Sequence, residues 1–216
     1  MTTKDQVIAL VRSVFARNKY PGDAFLVGSH EGCEPEEEVG PFRGKTDWVA
    51  LDAKFLDAHA GALHFFSEAG LRFFLPAYLI ADVRGELKYA ETEFCLAHGF
   101  SEVATEVTHN GRQFVLRAGK SQFINPRRFG AATFSDYARY RLSVFTREEA
   151  GAIVAYLEYK RDSVKGDATT KYIDAALDLF WRKRAKIAPG AAALELYVKD
   201  QEDYLDAVRR EQEKSG

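Results

Sequence analysis

The sequence predicts a mainly α, single-domain helical bundle with a small β-hairpin insert. Three observations predict it. Apolar residues recur at helical spacing over most of the chain. Helix-capping residues precede several of those stretches. One Asn-Gly pair sits between short β-forming runs. The length of 216 residues fits one domain, 1–216, with a frayed tail at 211–216. An aromatic content of 13% marks a chain that folds around a core.

The elements follow in order. Val7, Ile8, Val11, Val14 and Phe15 form one stripe, so residues 4–17 are expected to be an amphipathic helix. Tyr20-Pro21-Gly22-Asp23 ends it with turn chemistry. Phe25-Leu26-Val27 reads as a short strand, and Glu31 to Glu38 as an acidic loop. Asp52 is placed to cap a helix through Phe55, Leu56 and His59, and Ser67 to cap the next. That second helix meets Pro76, where a kink or break is expected, and stops at Gly85. Trp48, Leu71, Phe74, Leu75 and Leu79 are the expected core.

Residues 103–117 form the candidate hairpin, turning at Asn110-Gly111, because both turn positions of a type I′ turn need positive φ. Thr146-Arg147-Glu148-Glu149 is a capping box. It opens a helix through Ile153, Tyr156, Leu157 and Lys160. Another helix is expected from about Thr170 through Trp181 to Arg184, broken by Pro189-Gly190. A last helical segment spans Ala191–Lys214.

The stretch "FRGKTDWVAL", followed by "FLDAHAGALHFFSEAGLRFFLPAYL", resembles a bacterial family described only as a domain of unknown function. Its pattern is a Trp-x-x-Leu element followed by Leu-Pro-Ala-Tyr-Leu, here carried by Trp48, Leu51, Leu75, Pro76 and Tyr78. The helix opened by Thr146 and the Ala175–Trp181 segment are similar to the family's C-terminal half. The hairpin and the tail after Pro189 fall outside the resemblance. These are core residue types, so the resemblance implies a fold and no activity.

Several chemistries lack their signatures. Gly119-Lys120-Ser121 has the tail of a phosphate-binding loop, but Phe114 stands where the upstream glycine is needed. No nucleophile elbow, His-Glu-x-x-His or Cys-x-x-Cys is present. His30-x-x-Cys33 and Cys95-x-x-His98 make a nominal Cys2His2 set, but neither offset closes a four-ligand shell, so no metal and no cofactor is expected. His59 and His64 lie near Asp57, which makes them the weak candidates for catalysis in a small hydrolase.

Charge is the most informative feature. From Gly111 to Arg147 there are eight cations and one acid, Asp136, a local charge of 8 − 1 = +7. With a net charge of −2, the rest of the chain carries −9. Seven of the eight cations are arginines interleaved with Phe and Tyr, and a guanidinium fork suits carboxylate and phosphate. The expected function is therefore a non-enzymatic interaction module. It binds an anionic protein or small anionic ligand through Arg112, Arg117, Arg127, Arg128, Arg139 and Arg141. Nucleic-acid binding through residues 112–147 is the lesser alternative. The competing reading docks this basic segment against the acidic loop Glu31–Glu38 and against Glu86–Glu106, making surface ion pairs. The two cysteines and the missing signal and membrane-length apolar stretches point to a soluble cytoplasmic protein with no membrane partner.

Overall fold

The computed structural model describes residues 2–29, 32–100, 138–139, 141–164 and 168–187. It also describes the backbone of four strands between 103 and 133, and scattered helical positions after 198. The fold is mainly helical. The helices are α1 (Lys4–Phe15), α2 (Glu34–Val39), α3 (Ala53–Ala58), α4 (Ala62–Phe65), α5 (Glu68–Arg84), α6 (Thr92–Ala97), α7 (Arg147–Ser163), α8 (Ala168–Ala176) and α9 (Arg182–Arg184).

α5 is the centre. Thirteen of its 17 residues are buried, so it is apolar on nearly every side, as a helix wrapped by others must be. α1 packs along both α5 and α7, and α6 lies against α8. Ser67 caps α5 by accepting from the Gly70 amide, and Gly85 ends it in the left-handed region at φ 74°. The expected break at Pro76 does not occur: α5 runs through it as one element. Proline removes one backbone donor, and the buried surroundings of Phe74, Leu75 and Tyr78 hold the helix together.

Trp48, Leu71, Phe74, Leu75 and Leu79 are all in the core. Phe42 joins them, its ring edge-on to Phe55, Phe66 and Phe74 with centroids 4.9 Å apart in each pair. α1 opens with a capping box between Thr3 and Gln6 and buries Val7, Val11 and Phe15. α7 opens with the box formed by Thr146 and Glu149.

Two expectations need correction. Phe25-Leu26-Val27 is no strand: Asp23–Phe25 is a 3-10 turn, and Val27 makes one isolated bridge to Phe66. The close approach there leaves no room for a side chain at Gly28, where a Cβ would sit 2.7 Å from the Phe66 carbonyl oxygen. The acidic stretch is partly helical, because Pro35 and the early glutamates suit the first turn of α2. The helix expected from about Thr170 to Arg184 is present from Ala168, with a π turn at Leu177–Trp181 before α9.

Between 103 and 133 the backbone pairs antiparallel in two ladders. β1 (Val103–His109) meets β2 (Arg112–Ala118) with His109 opposite Arg112, and β3 (Gln122–Asn125) meets β4 (Gly130–Thr133). Asn110 and Gly111, the expected turn, lie outside the described residues, as do Pro189, Gly190 and most of the 191–214 segment.

Candidate functional site: a histidine and arginine cleft

The end of α4, the outer face of α6 and the helical residues Ala138, Arg141 and Leu142 enclose a cleft of about 160 Å³. Its described lining is His64, Phe94, Cys95, His98, Ala138, Arg141 and Leu142. α6 places its part of the lining: Phe94 and Cys95 are adjacent, and His98 is the residue that ends the helix. The Phe94 and His98 rings stack at 4.5 Å, and His64 meets Phe94 edge-on at 6.2 Å.

Arg141 holds the cleft together. It is 8% exposed, and its Nη2 donates to the carbonyls of Leu63 at 2.5 Å and Phe66 at 3.4 Å. Those carbonyls lie at the end of α4, where a short helix leaves acceptors that a cation satisfies well. The cleft's polar groups are also tuned. Burial lowers the pKa of His64, and the charge of Arg141 lowers it further, while Glu91 opposes both. Burial lowers His98 as well. Burial raises the Cys95 thiol despite Arg141, so the sulfur stays protonated at neutral pH.

The three residues proposed for hydrolysis have other occupations. Partial burial would raise the Asp57 pKa, but its Oδ1 accepts the amides of Lys88, Tyr89 and Ala90, and these hold it below the usual range. It therefore ties α3 to the loop after α5. His59 ends α3, its ring against Phe42 and Phe55 and its carbonyl accepting from Tyr78. His64 alone of the three lines the cleft. Neither His59 nor His64 pairs with Asp57.

Of the six arginines expected to bind, the side chains of Arg112, Arg117, Arg127 and Arg128 lie outside the described residues. Arg139 and Arg141 face the body. Arg139 donates to the Leu179 carbonyl at 3.1 Å and sits 5.6 Å from the centre of the Phe100 ring. Arg141 is buried, which corrects its expected place on an exposed face. In the acidic stretch, Arg43 takes Glu36 with both arms of its fork, and Cys33 bonds Glu37.

Of the nominal Cys2His2 set, Cys33 is exposed, Cys95 is buried and His30 lies outside the described residues. Among the described residues no three His, Cys, Asp or Glu side chains gather to hold a metal. No described helix is long and apolar enough to cross a membrane.

The sequence reading found His64, His98, Cys95 and Arg141 separately but did not bring them together. The usable signal was Cys95-x-x-His98, whose offset is one helical turn. α6 itself was not foreseen. No protein-family model matches the chain, and no curated protein or solved structure is similar to it at a significant level.

Proposed function

We propose that this chain is a non-enzymatic interaction module that engages an anionic partner, a protein or a small anionic ligand. The working arginines are Arg112, Arg117, Arg127 and Arg128. They fall within residues 112–128 of the sequence, and downstream of them Arg139 and Arg141 bond the helical body. The observation that carries this reading is the local charge: eight cations against Asp136 between Gly111 and Arg147. Arg43 supports it, because Arg43 already occupies Glu36 in the acidic stretch that would otherwise neutralise the segment.

The test compares wild type with a variant carrying Arg112, Arg117, Arg127 and Arg128 all changed to Ala. Binding to poly-glutamate and to a single-stranded oligonucleotide is measured across a salt series. Wild type should bind poly-glutamate and weaken as salt rises. At low salt the variant should lose about 2 kcal/mol, roughly thirtyfold. Equal binding by both proteins at every salt level removes the proposal. Binding of the oligonucleotide alone transfers it to nucleic acid.

A further inference from the structure

We infer that the groove between the turn after α1 and the first turns of α5 is a binding site for an N-acylated amino acid: a carboxylate with an amide N–H beside it and an apolar side chain. This site is separate from the proposed Arg-rich surface and does not rest on it.

Size sets the first limit. The groove has a volume of about 270 Å³. That is the volume of about nine waters, just below the range of drug-sized sites, and it suits one amino-acid residue with its carboxylate. Its described lining comes from the turn 18–21, from Ala69, Arg72 and Phe73 on α5, and from Val144 ahead of α7.

Charge sets the second. Arg72 is fixed from behind by the buried Glu149: its Nε donates to the two carboxylate oxygens at 3.1 and 3.0 Å, and its Nη2 lies 2.9 Å from one of them. Nη1 has no partner among the described residues, so one edge of the fork is left to donate. Glu149 offsets part of the Arg72 charge. Lys19 is exposed and has no ion pair among the described residues, so its charge is unbalanced. No acid is among the described lining residues. One balanced and one unbalanced cation match a carboxylate better than a phosphate dianion.

Asn18 sets the third. Its Nδ2 donates to the Arg72 carbonyl at 3.2 Å, and its backbone N–H donates to the Phe15 carbonyl at 3.1 Å. A carbonyl only accepts, so the first bond fixes the side-chain amide and leaves Oδ1 as an acceptor. Oδ1 has no partner among the described residues. The ligand must therefore bring a donor beside its carboxylate. A free ammonium in that place would face Lys19, whereas an acylated nitrogen brings its N–H without charge.

The wall sets the last. The Tyr20 ring stands edge-on to Phe73 at 5.3 Å and to Phe74 at 6.2 Å, and its hydroxyl is held by Asp23. With Pro21, Phe73 and Val144 it gives an apolar surface for a side chain such as that of leucine.

The experiment is an NMR titration of the full-length protein, following backbone and side-chain amide signals. The probes are N-acetyl-leucine, its neutral amide N-acetyl-leucinamide, and N-acetyl-N-methyl-leucine, which keeps the carboxylate and lacks the N–H. Acetyl-leucine should shift the Asn18 side-chain signals and bind about tenfold tighter than either of the others. Lys19→Ala, at an exposed position, should lose about fivefold. Asn18→Ala should bind acetyl-leucine and its N-methyl counterpart alike, a comparison made within one variant. The variant lacking Arg112, Arg117, Arg127 and Arg128 should bind acetyl-leucine as wild type does. A tripeptide ending in leucine with a free carboxylate distinguishes the sources. Binding about tenfold tighter than acetyl-leucine assigns the site to a peptide C-terminus, and equal binding assigns it to a free acylamino acid. The inference fails if acetyl-leucine does not bind, if the leucinamide binds equally well, or if Lys19→Ala leaves affinity unchanged. It fails too if Asn18→Ala keeps the preference for the N–H, or if the quadruple arginine variant loses acetyl-leucine.

Discussion

Phe74 lies at the meeting point of the aromatic core. Its ring stacks on Phe66 at 5.2 Å and meets Phe42 and Phe73 edge-on at 4.9 and 4.8 Å, with no exposed surface. Phe74→Ala should cost roughly 3–5 kcal/mol, read as a lower denaturant midpoint at unchanged m-value. A loss under about 1 kcal/mol would show that the neighbouring rings collapse into the space. Phe74 was legible in the sequence because burial of an apolar residue follows from its spacing alone. Arg141 was not. Its charge was visible, but the acceptors it serves, the carbonyls of Leu63 and Phe66, come from a segment about 75 residues away in sequence. A guanidinium in an arginine-rich run reads as surface until the fold supplies buried acceptors. His98 was hidden for a related reason: His64 and Arg141, which line the cleft with it, come from two other segments.

At the scale of elements, the caps were the most readable features, because a cap is a local contract between neighbouring residues. Ser67, Asp52 and Thr146 all accept from the amide three residues on. The π turn was unreadable, because it arises where tertiary contacts compete with the helical ladder. Trp181 donates to the Leu96 carbonyl at 2.8 Å, and Arg139 donates to Leu179. Glu149 shows how an element is tied to the rest. It closes the capping box of α7 and, buried, receives Arg72 of α5 at 2.9 Å. Thr146→Ala should cost about 1 kcal/mol. Glu149→Gln should cost more, about 3 kcal/mol, because it also leaves Arg72 facing a neutral group. Urea unfolding of both variants checks the order; equal losses would show that the pair with Arg72 adds nothing to the cap.

For the whole molecule, the helical class was legible from periodicity, since a central all-round apolar helix needs amphipathic neighbours to cover it. Which helices pair was not, because many pairings bury similar area. The contact between Arg139 and Phe100 has a further consequence at this scale. It brings together Phe100 and Arg139, the residues that flank 101–138 in sequence, so the described residues on either side already fix the span that the intervening chain must close. The entropy of closing a loop grows only with the logarithm of its length, about 0.6 kcal/mol per doubling. The length and content of this stretch are therefore nearly free variables as far as closure is concerned, open to change without rebuilding the helices. Replacing residues 103–133 with a short Gly-Ser linker should leave cooperative unfolding intact and shift stability by about 1 kcal/mol. Loss of a cooperative transition in thermal unfolding would show that the body depends on the loop. If the transition survives, the segment that carries five of the eight cations between Gly111 and Arg147 is a replaceable cassette. Its specificity could then drift while the scaffold, and the cleft beneath its return point, stayed as they are.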